Sequence, residues 1–170
     1  MKTLYLLRHA KSSWDDVDLA DHDRPLAPRG RKAVKKLAAY VRTEGIAPDL
    51  VLSSTSARTR ETIEPLRKAL GDPEIRFLPE LYGAWEETLL DIVRSAGRTT
   101  RSLLLVGHNP GIEQLAIELA GSGDAELRRR VEEKLPTGAL VTLVFRAESW
   151  GDVALGSGEL TGYVVPRDLP

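Results

Sequence analysis

Residues 102–121 read SLLLVGHNPGIEQLAIELAG, and they contain in miniature the architecture of the whole chain. Residues 102–106 form a continuous apolar run, the mark of a central strand buried on both faces. GHNPG, residues 107–111, interrupts it with turn-forming residues. Over residues 111–120 the apolar side chains Ile112, Leu115, Ala116 and Leu119 recur on one side, which predicts a helix with one buried face. A buried strand followed by a one-faced helix is the building unit of a layered α/β fold.

The same alternation extends toward the N-terminus. Residues 3–8 suit a buried strand, and Val34, Leu37, Ala38 and Val41 recur at helical spacing between Arg29 and Glu44. Gly45 is a good helix stop. Between these elements residues 11–28 are polar and punctuated by Pro25 and Pro28, so a long loop is expected, of the kind that tends to carry function. Residues 49–53 form a second short strand. The helix after it could be capped by Ser54, Thr55 or Ser56, and Pro65 should kink or break it. A weak strand over 74–78, a helix over 86–96 and a charged helix over 124–133 complete the helical part. In the final third, GALVTLVFRA, WGDVALGSG and ELTGYVVP suggest strands, some antiparallel. The expected architecture is a three-layer α/β/α sandwich with a mainly parallel central sheet. With no internal repeat or linker in view, one domain over residues 1–170 is expected.

Composition narrows the function classes. The chain has 24 basic and 25 acidic residues, so it has no general attraction to nucleic acid or to an acidic membrane. Any anion site must be a local cluster of Arg and His. With no cysteine, disulfides, thiolate nucleophiles and Cys-based metal sites are excluded. No signal pattern precedes the first strand and no apolar run is long enough to span a bilayer, so a cytoplasmic protein is expected.

Three strands end in unusual chemistry: Arg8-His9 after the first, SSTSARTR after the second and GHNPG after the central one. Ligands of open α/β sheets bind outside the carboxyl ends of parallel strands. If these strands are parallel neighbours, Arg8, His9, Arg58 and His108 converge. Guanidinium forks match phosphate oxygens in shape and charge. A neutral imidazole is a competent nucleophile toward phosphorus, and the remaining cations would stabilise the equatorial oxygens during transfer. The expected guest is a phosphoryl group.

LLRHAKSSW resembles the Arg-His-Gly/Ala signature of the histidine phosphatase superfamily, the phosphoglycerate-mutase-like group. SSTSARTRET resembles its second signature, with Thr55 where Pro is usual, and LLLVGHNPGIEQLA its third. DRPLAPRG, residues 23–30, is similar to a segment of the small SixA-like phosphohistidine phosphatases. The resemblance implies that His9 is the nucleophile, that Arg8, Arg58 and His108 form the phosphate pocket, and that no metal or other cofactor is needed.

The chain departs from the family pattern at three places. Asp15 stands where mutase-type members carry Asn, and Asn109 where phytase-like members carry an acidic residue after the second His. PELYGAWEE offers Glu80 as general acid, with Glu86 and Glu87 behind it, but in altered spacing. A vague acid suits cleavage of a phosphorus–nitrogen bond, because imidazole, with a conjugate acid of pKa about 6.5, leaves more readily than an alkoxide. The resemblance therefore implies hydrolysis of phosphohistidine in proteins. A phosphomonoesterase acting on a small phosphorylated molecule and a non-catalytic phospho-ligand binding module are the alternatives. Lys11 and Asn109 are candidate substrate contacts, while Trp14 and Trp85 either wall the pocket or pack. His22 is expected as a solvated loop residue, Arg60 on an exposed helix face, and the run Arg128–Arg130 as one charged helix face rather than a nucleic-acid site.

Overall fold

The computed structural model describes residues 1–170. Seven strands form one sheet in the order β3-β2-β4-β1-β6-β7-β5. They are β1 (Lys2–Arg8), β2 (Leu50–Ser54), β3 (Glu74–Leu78), β4 (Ser102–Gly107), β5 (Ala120–Gly123), β6 (Leu140–Phe145) and β7 (Gly158–Val164). β3, β2, β4 and β1 are mutually parallel; β6 opposes β1 and β7, and β5 runs parallel to β7. The mainly parallel sandwich expected above is what forms.

β4 lies between β2 and β1, and Leu103, Leu104, Leu105 and Val106 are all buried, which is why its sequence shows no polar alternation. Its side chains divide between two cores. Leu103 and Leu105 join Leu4 and Leu6 of β1 beneath α3 (Glu86–Arg94), α4 (Gly111–Leu119) and α5 (Ala125–Glu133). Leu104 and Val106 join Leu7 and Val51 beneath α1 (Pro28–Thr43) and α2 (Ala57–Ile63).

Local chemistry sets the helix limits. Pro28 occupies the first turn of α1, where its missing N–H costs nothing. At the far end Gly45 adopts φ +66°, and Ile46 N–H donates to Val41 O at 2.9 Å while Gly45 N–H donates to Arg42 O at 3.2 Å. These bonds satisfy carbonyls the helix would otherwise leave open. The Ser56 hydroxyl caps α2 by accepting from Thr59 N–H, and Pro65 lies in a separate 3-10 turn, Glu64–Leu66. Gly30 lets the first turn of α1 cross the segment after β1: a Cβ there would lie 2.1 Å from the Lys11 carbonyl oxygen.

Two expectations need correction at the C-terminal end. WGDVALGSG forms no strand of its own; it holds a 3-10 turn, Trp150–Asp152, and a following turn, and only its last residue, Gly158, begins β7. Trp150 is fully buried, and its indole N–H donates to Thr100 O at 2.7 Å, so the apolar residues here anchor a loop to the core instead of pairing in the sheet. Conversely, α4 stops at Leu119 and Ala120–Gly123 pairs with β7 as the edge strand β5, in a Gly-Ser-Gly segment without strand propensity. Here the pairing comes from tertiary contact. The Arg128–Arg130 run does lie on a charged surface: Arg129 pairs with Glu126 and Glu133, and Arg130 with Asp168. No helix is long and apolar enough to cross a membrane.

Candidate active site

β1, β4 and β2 are parallel neighbours, so their carboxyl ends open on the same edge of the sheet. His9 follows β1 and His108 follows β4; their ring centroids are 5.3 Å apart. Both residues are buried, at 6% and 7% exposure, as is Arg58 at 7%. The cluster expected from three strand ends therefore assembles, with Arg8 beside His9 in the chain.

A hydrogen bond fixes the ring state of His9. His9 Nδ1 lies 2.7 Å from Ala10 O, a carbonyl that only accepts, so Nδ1 carries the proton and Nε2 keeps its lone pair. His108 Nε2 lies 2.8 Å from Ser54 Oγ, and Ser54 Oγ already accepts from Ser56 N–H. The Ser54 oxygen has a second lone pair, so it can donate to His108 Nε2 or accept from it, and this contact does not choose the His108 tautomer. His108 Nδ1 is buried without a partner, and so is the donor Arg8 Nε. A buried donor left unpaired in a folded protein calls for an acceptor. Arg8 Nε, in the residue next to His9, marks a place for an anion.

Burial, helped by the charges of Arg58, Arg8 and Arg24 and opposed by the Ala10 bond, pushes the His9 pKa down to about 4. Burial likewise pushes His108 down to about 3, helped by His9 and Arg58. Both rings are thus neutral near pH 7. Unfolded, each would take up its proton near pH 6.5. At pH 5 the unfolded chain therefore binds protons that the folded chain refuses, and stability rises with pH between about 4 and 6.5. NMR titration of the imidazole carbons should give midpoints for His9 and His108 at least one unit below 6.5, with unfolding free energy climbing over the same window. A midpoint at or above 6.5 for His9 would contradict the site as described.

The loop over residues 11–27 contributes groups not identified from sequence. Asp21 accepts from Arg58 through its backbone carbonyl (2.7 Å to Nη1) and its carboxylate (3.0 Å to Nη2). The same carboxylate accepts from Arg24 Nη1 at 2.9 Å and from the Tyr82 hydroxyl. These donors, Tyr82 first, hold Asp21 well below the usual carboxylate range. The Tyr82 ring stands edge-on to His108 at 5.5 Å and to His22 at 4.8 Å. His22 is not a free loop side chain: its Nε2 lies 2.8 Å from Thr55 Oγ1, so it ties the loop to the turn before α2. Thr62 of α2 joins the strand end as well, accepting from Ala10 N–H at 3.0 Å and donating to Arg58 O at 2.7 Å.

The other sequence candidates are placed as follows. Glu80 is exposed in the 3-10 turn Pro79–Leu81 and makes no hydrogen bond; Glu86 and Glu87 open α3. Asn109 donates to Leu135 O at 2.9 Å, and its Oδ1 is a third unpaired buried atom. Lys11 and Asp15 are exposed. Trp14 is 69% exposed and stacks on Arg24, whose guanidinium carbon is 3.2 Å from the ring centre, while Trp85 stands exposed before α3. Arg60 stacks on Phe77, with 3.9 Å to the ring centre, as a surface residue would.

Three comparisons with known proteins bear on this geometry. Residues 4–135 match the sequence profile of the histidine phosphatase superfamily (branch 1). An uncharacterized protein of Mycobacterium tuberculosis, Rv1276c, is 41% identical over 163 residues, covering 95% of this chain and 100% of that protein. A chloroplastic uncharacterized protein of Arabidopsis thaliana, At3g52155, is 34% identical, covering 97% of this chain and 78% of that protein. Among solved structures, a protein of Agrobacterium tumefaciens provisionally named phosphohistidine phosphatase SixA superimposes with a TM-score of 0.82 at 30% identity, covering 97% of this chain and 98% of the other. The protein histidine phosphatase SixA bound to tungstate gives 0.72 at 21% identity over 98% of each chain, a likeness of fold.

Proposed function

The chain belongs to branch 1 of the histidine phosphatase superfamily, a phosphatase by that membership, and we propose that it hydrolyses phosphohistidine in proteins through a covalent phosphohistidine at His9. The observation that carries this reading is the state of His9, with Nδ1 tied to Ala10 O and Nε2 left with its lone pair, in a cluster where the donor Arg8 Nε and the ring nitrogen His108 Nδ1 are buried and unpaired.

In the first step His9 Nε2 attacks phosphorus. The phosphorus–nitrogen bond of the substrate breaks, and its electron pair returns to the departing imidazole, which is protonated on its other ring nitrogen. Arg8, Arg58 and His108 stabilise the charge on the three equatorial oxygens as it develops. In the second step the oxygen of a water molecule bonds to phosphorus, the bond to His9 Nε2 breaks with its electron pair returning to the ring, and phosphate leaves carrying both of the water's protons, one of which it then loses to solvent. Neither step draws on a metal or other cofactor.

The carboxylates explain the choice of leaving group. Asp21, the acid in contact with Arg58, is held ionised by Tyr82, Arg24 and Arg58, so it has no proton to give. Glu80 lies exposed with no bond to the cluster. An alkoxide leaving group would lack its acid here; an imidazole does not need one.

The test compares kcat/KM for a phosphohistidine protein and for phosphoramidate with that for sugar phosphates. A preference of about 100-fold or more for the phosphorus–nitrogen substrates is expected, the size of the general-acid contribution they can do without. A strong preference for sugar phosphates would instead identify a small-molecule phosphomonoesterase. Binding of phosphate without turnover of any substrate would identify a binding module.

A further inference from the structure

Arg8 also lines a surface cavity of about 570 Å³. Seven of its twelve lining residues are cationic, and none is acidic. This is unusual in a chain whose formal net charge is −1. Arg29, Lys32 and Lys36 come from one face of α1, at spacings of three and four residues. Lys11 follows the catalytic strand end, and Lys134 and Arg167 close the opposite wall. Within 4.0 Å only Arg167 has a carboxylate partner, Asp168; the other six form no ion pair. Self-repulsion among so many unpaired cations is a cost that the fold alone does not explain. Arg8 belongs to both places: it lines the cavity, and the next residue is His9.

We propose that this basin binds an acidic segment of the phosphoprotein substrate, next to the phosphohistidine whose phosphoryl group enters the His9 cup. This rests on the protein-phosphohistidine reading above. The arrangement favours a peptide over a compact oligophosphate. Arg29, Lys32 and Lys36 form a row along α1 about 10 Å long, at 1.5 Å of rise per residue. Compact phosphates are held by converging guanidinium forks and backbone N–H groups. A row of flexible cationic side chains instead matches carboxylates spaced along an extended chain. Steering by such a field would raise the encounter rate and fade with salt.

The experiment uses the full chain and three substrates: phosphoramidate, a phosphohistidine peptide flanked by Asp and Glu, and the same peptide with Asn and Gln in their place. At low salt the acidic peptide should have a kcat/KM about 10-fold above the neutral one, and the advantage should vanish near 0.5 M salt. The double substitution Lys32→Glu, Lys36→Glu should lower kcat/KM for the acidic peptide by about 10-fold or more while leaving phosphoramidate turnover unchanged. Equal rates for the two peptides would overturn the proposal, and so would an equal loss on phosphoramidate. Binding of tripolyphosphate that depends on Lys32 and Lys36, without a preference for the acidic peptide, would assign the basin to oligophosphates instead. If no phosphorus–nitrogen substrate is turned over, the substrate reading fails. Titration of the unphosphorylated acidic peptide against the native chain and the double variant then still decides the basin.

Discussion

His9→Ala is expected to remove turnover, lowering kcat by at least about 10⁴-fold, the scale on which an enzyme loses its nucleophile. The loss follows from one atom. Nδ1 of this ring is occupied by Ala10 O, and Nε2 is the nitrogen left with a lone pair. No cysteine exists to substitute for it. His108 is no ready substitute, because Ser54 holds its Nε2. Alanine also leaves Arg8, Arg58 and His108 in place, so phosphate or vanadate should still bind. Binding and catalysis are thereby separated. Rapid quench of the native enzyme with radiolabelled phosphohistidine substrate should trap an acid-labile, base-stable label on His9, absent from the variant. Turnover by His9→Ala within tenfold of the native rate, or label recovered on another residue, would refute the covalent step.

The parts of this site that sequence revealed share a property: they lie at the ends of buried strands. The apolar run Leu103–Val106 and the strand before Arg8 fix the direction of the backbone, so the residues that follow have little choice of position. His9 and His108 were legible for that reason. Arg58 was legible because it stands in SSTSARTRET, in the first turn of the helix that follows the second buried strand. Asp21 and Arg24 were not, because they sit in a loop of 3-10 and bridge geometry, where side chains reach their partners over 37 residues of sequence separation or through a single bridge, Ser12 to Leu26. No periodicity encodes such contacts. Tyr82 lies within PELYGAWEE, but nothing in that spacing encodes the edge-on packing of its ring against His108. The C-terminal edge misled in the opposite sense. WGDVALGSG has apolar residues at strand-like spacing, yet Trp150 spends them on anchoring a loop. Ala120–Gly123 has almost none and is still recruited into the sheet.

Arg58→Ala is expected to lower kcat/KM by about 10³-fold, within the range measured for removing a charged donor from a developing phosphoryl transition state. The guanidinium is buried, so its charge acts at low dielectric, and it faces both imidazoles closely enough to depress both pKa values. Its two terminal nitrogens are held by the backbone and carboxylate of Asp21, which sets the fork before any phosphoryl group arrives. Arg58→Lys should recover only a small part of the loss: the charge survives, but a single ammonium cannot bond Asp21 O and Asp21 Oδ2 in the same fork and also aim further N–H donors at phosphate. The loop itself should survive either change, since Arg24 and Tyr82 still bond the Asp21 carboxylate. Thermal denaturation checks that point, and a melting temperature close to native together with the kinetic loss would place the effect in catalysis. The loss should fall chiefly on kcat, because the charge Arg58 meets is greater in transfer than in the bound substrate. A change confined to KM would mean that Arg58 binds the substrate without favouring its transition state. Activity within tenfold of native would remove Arg58 from the phosphoryl site altogether, leaving it as the clamp that holds Asp21 and its loop.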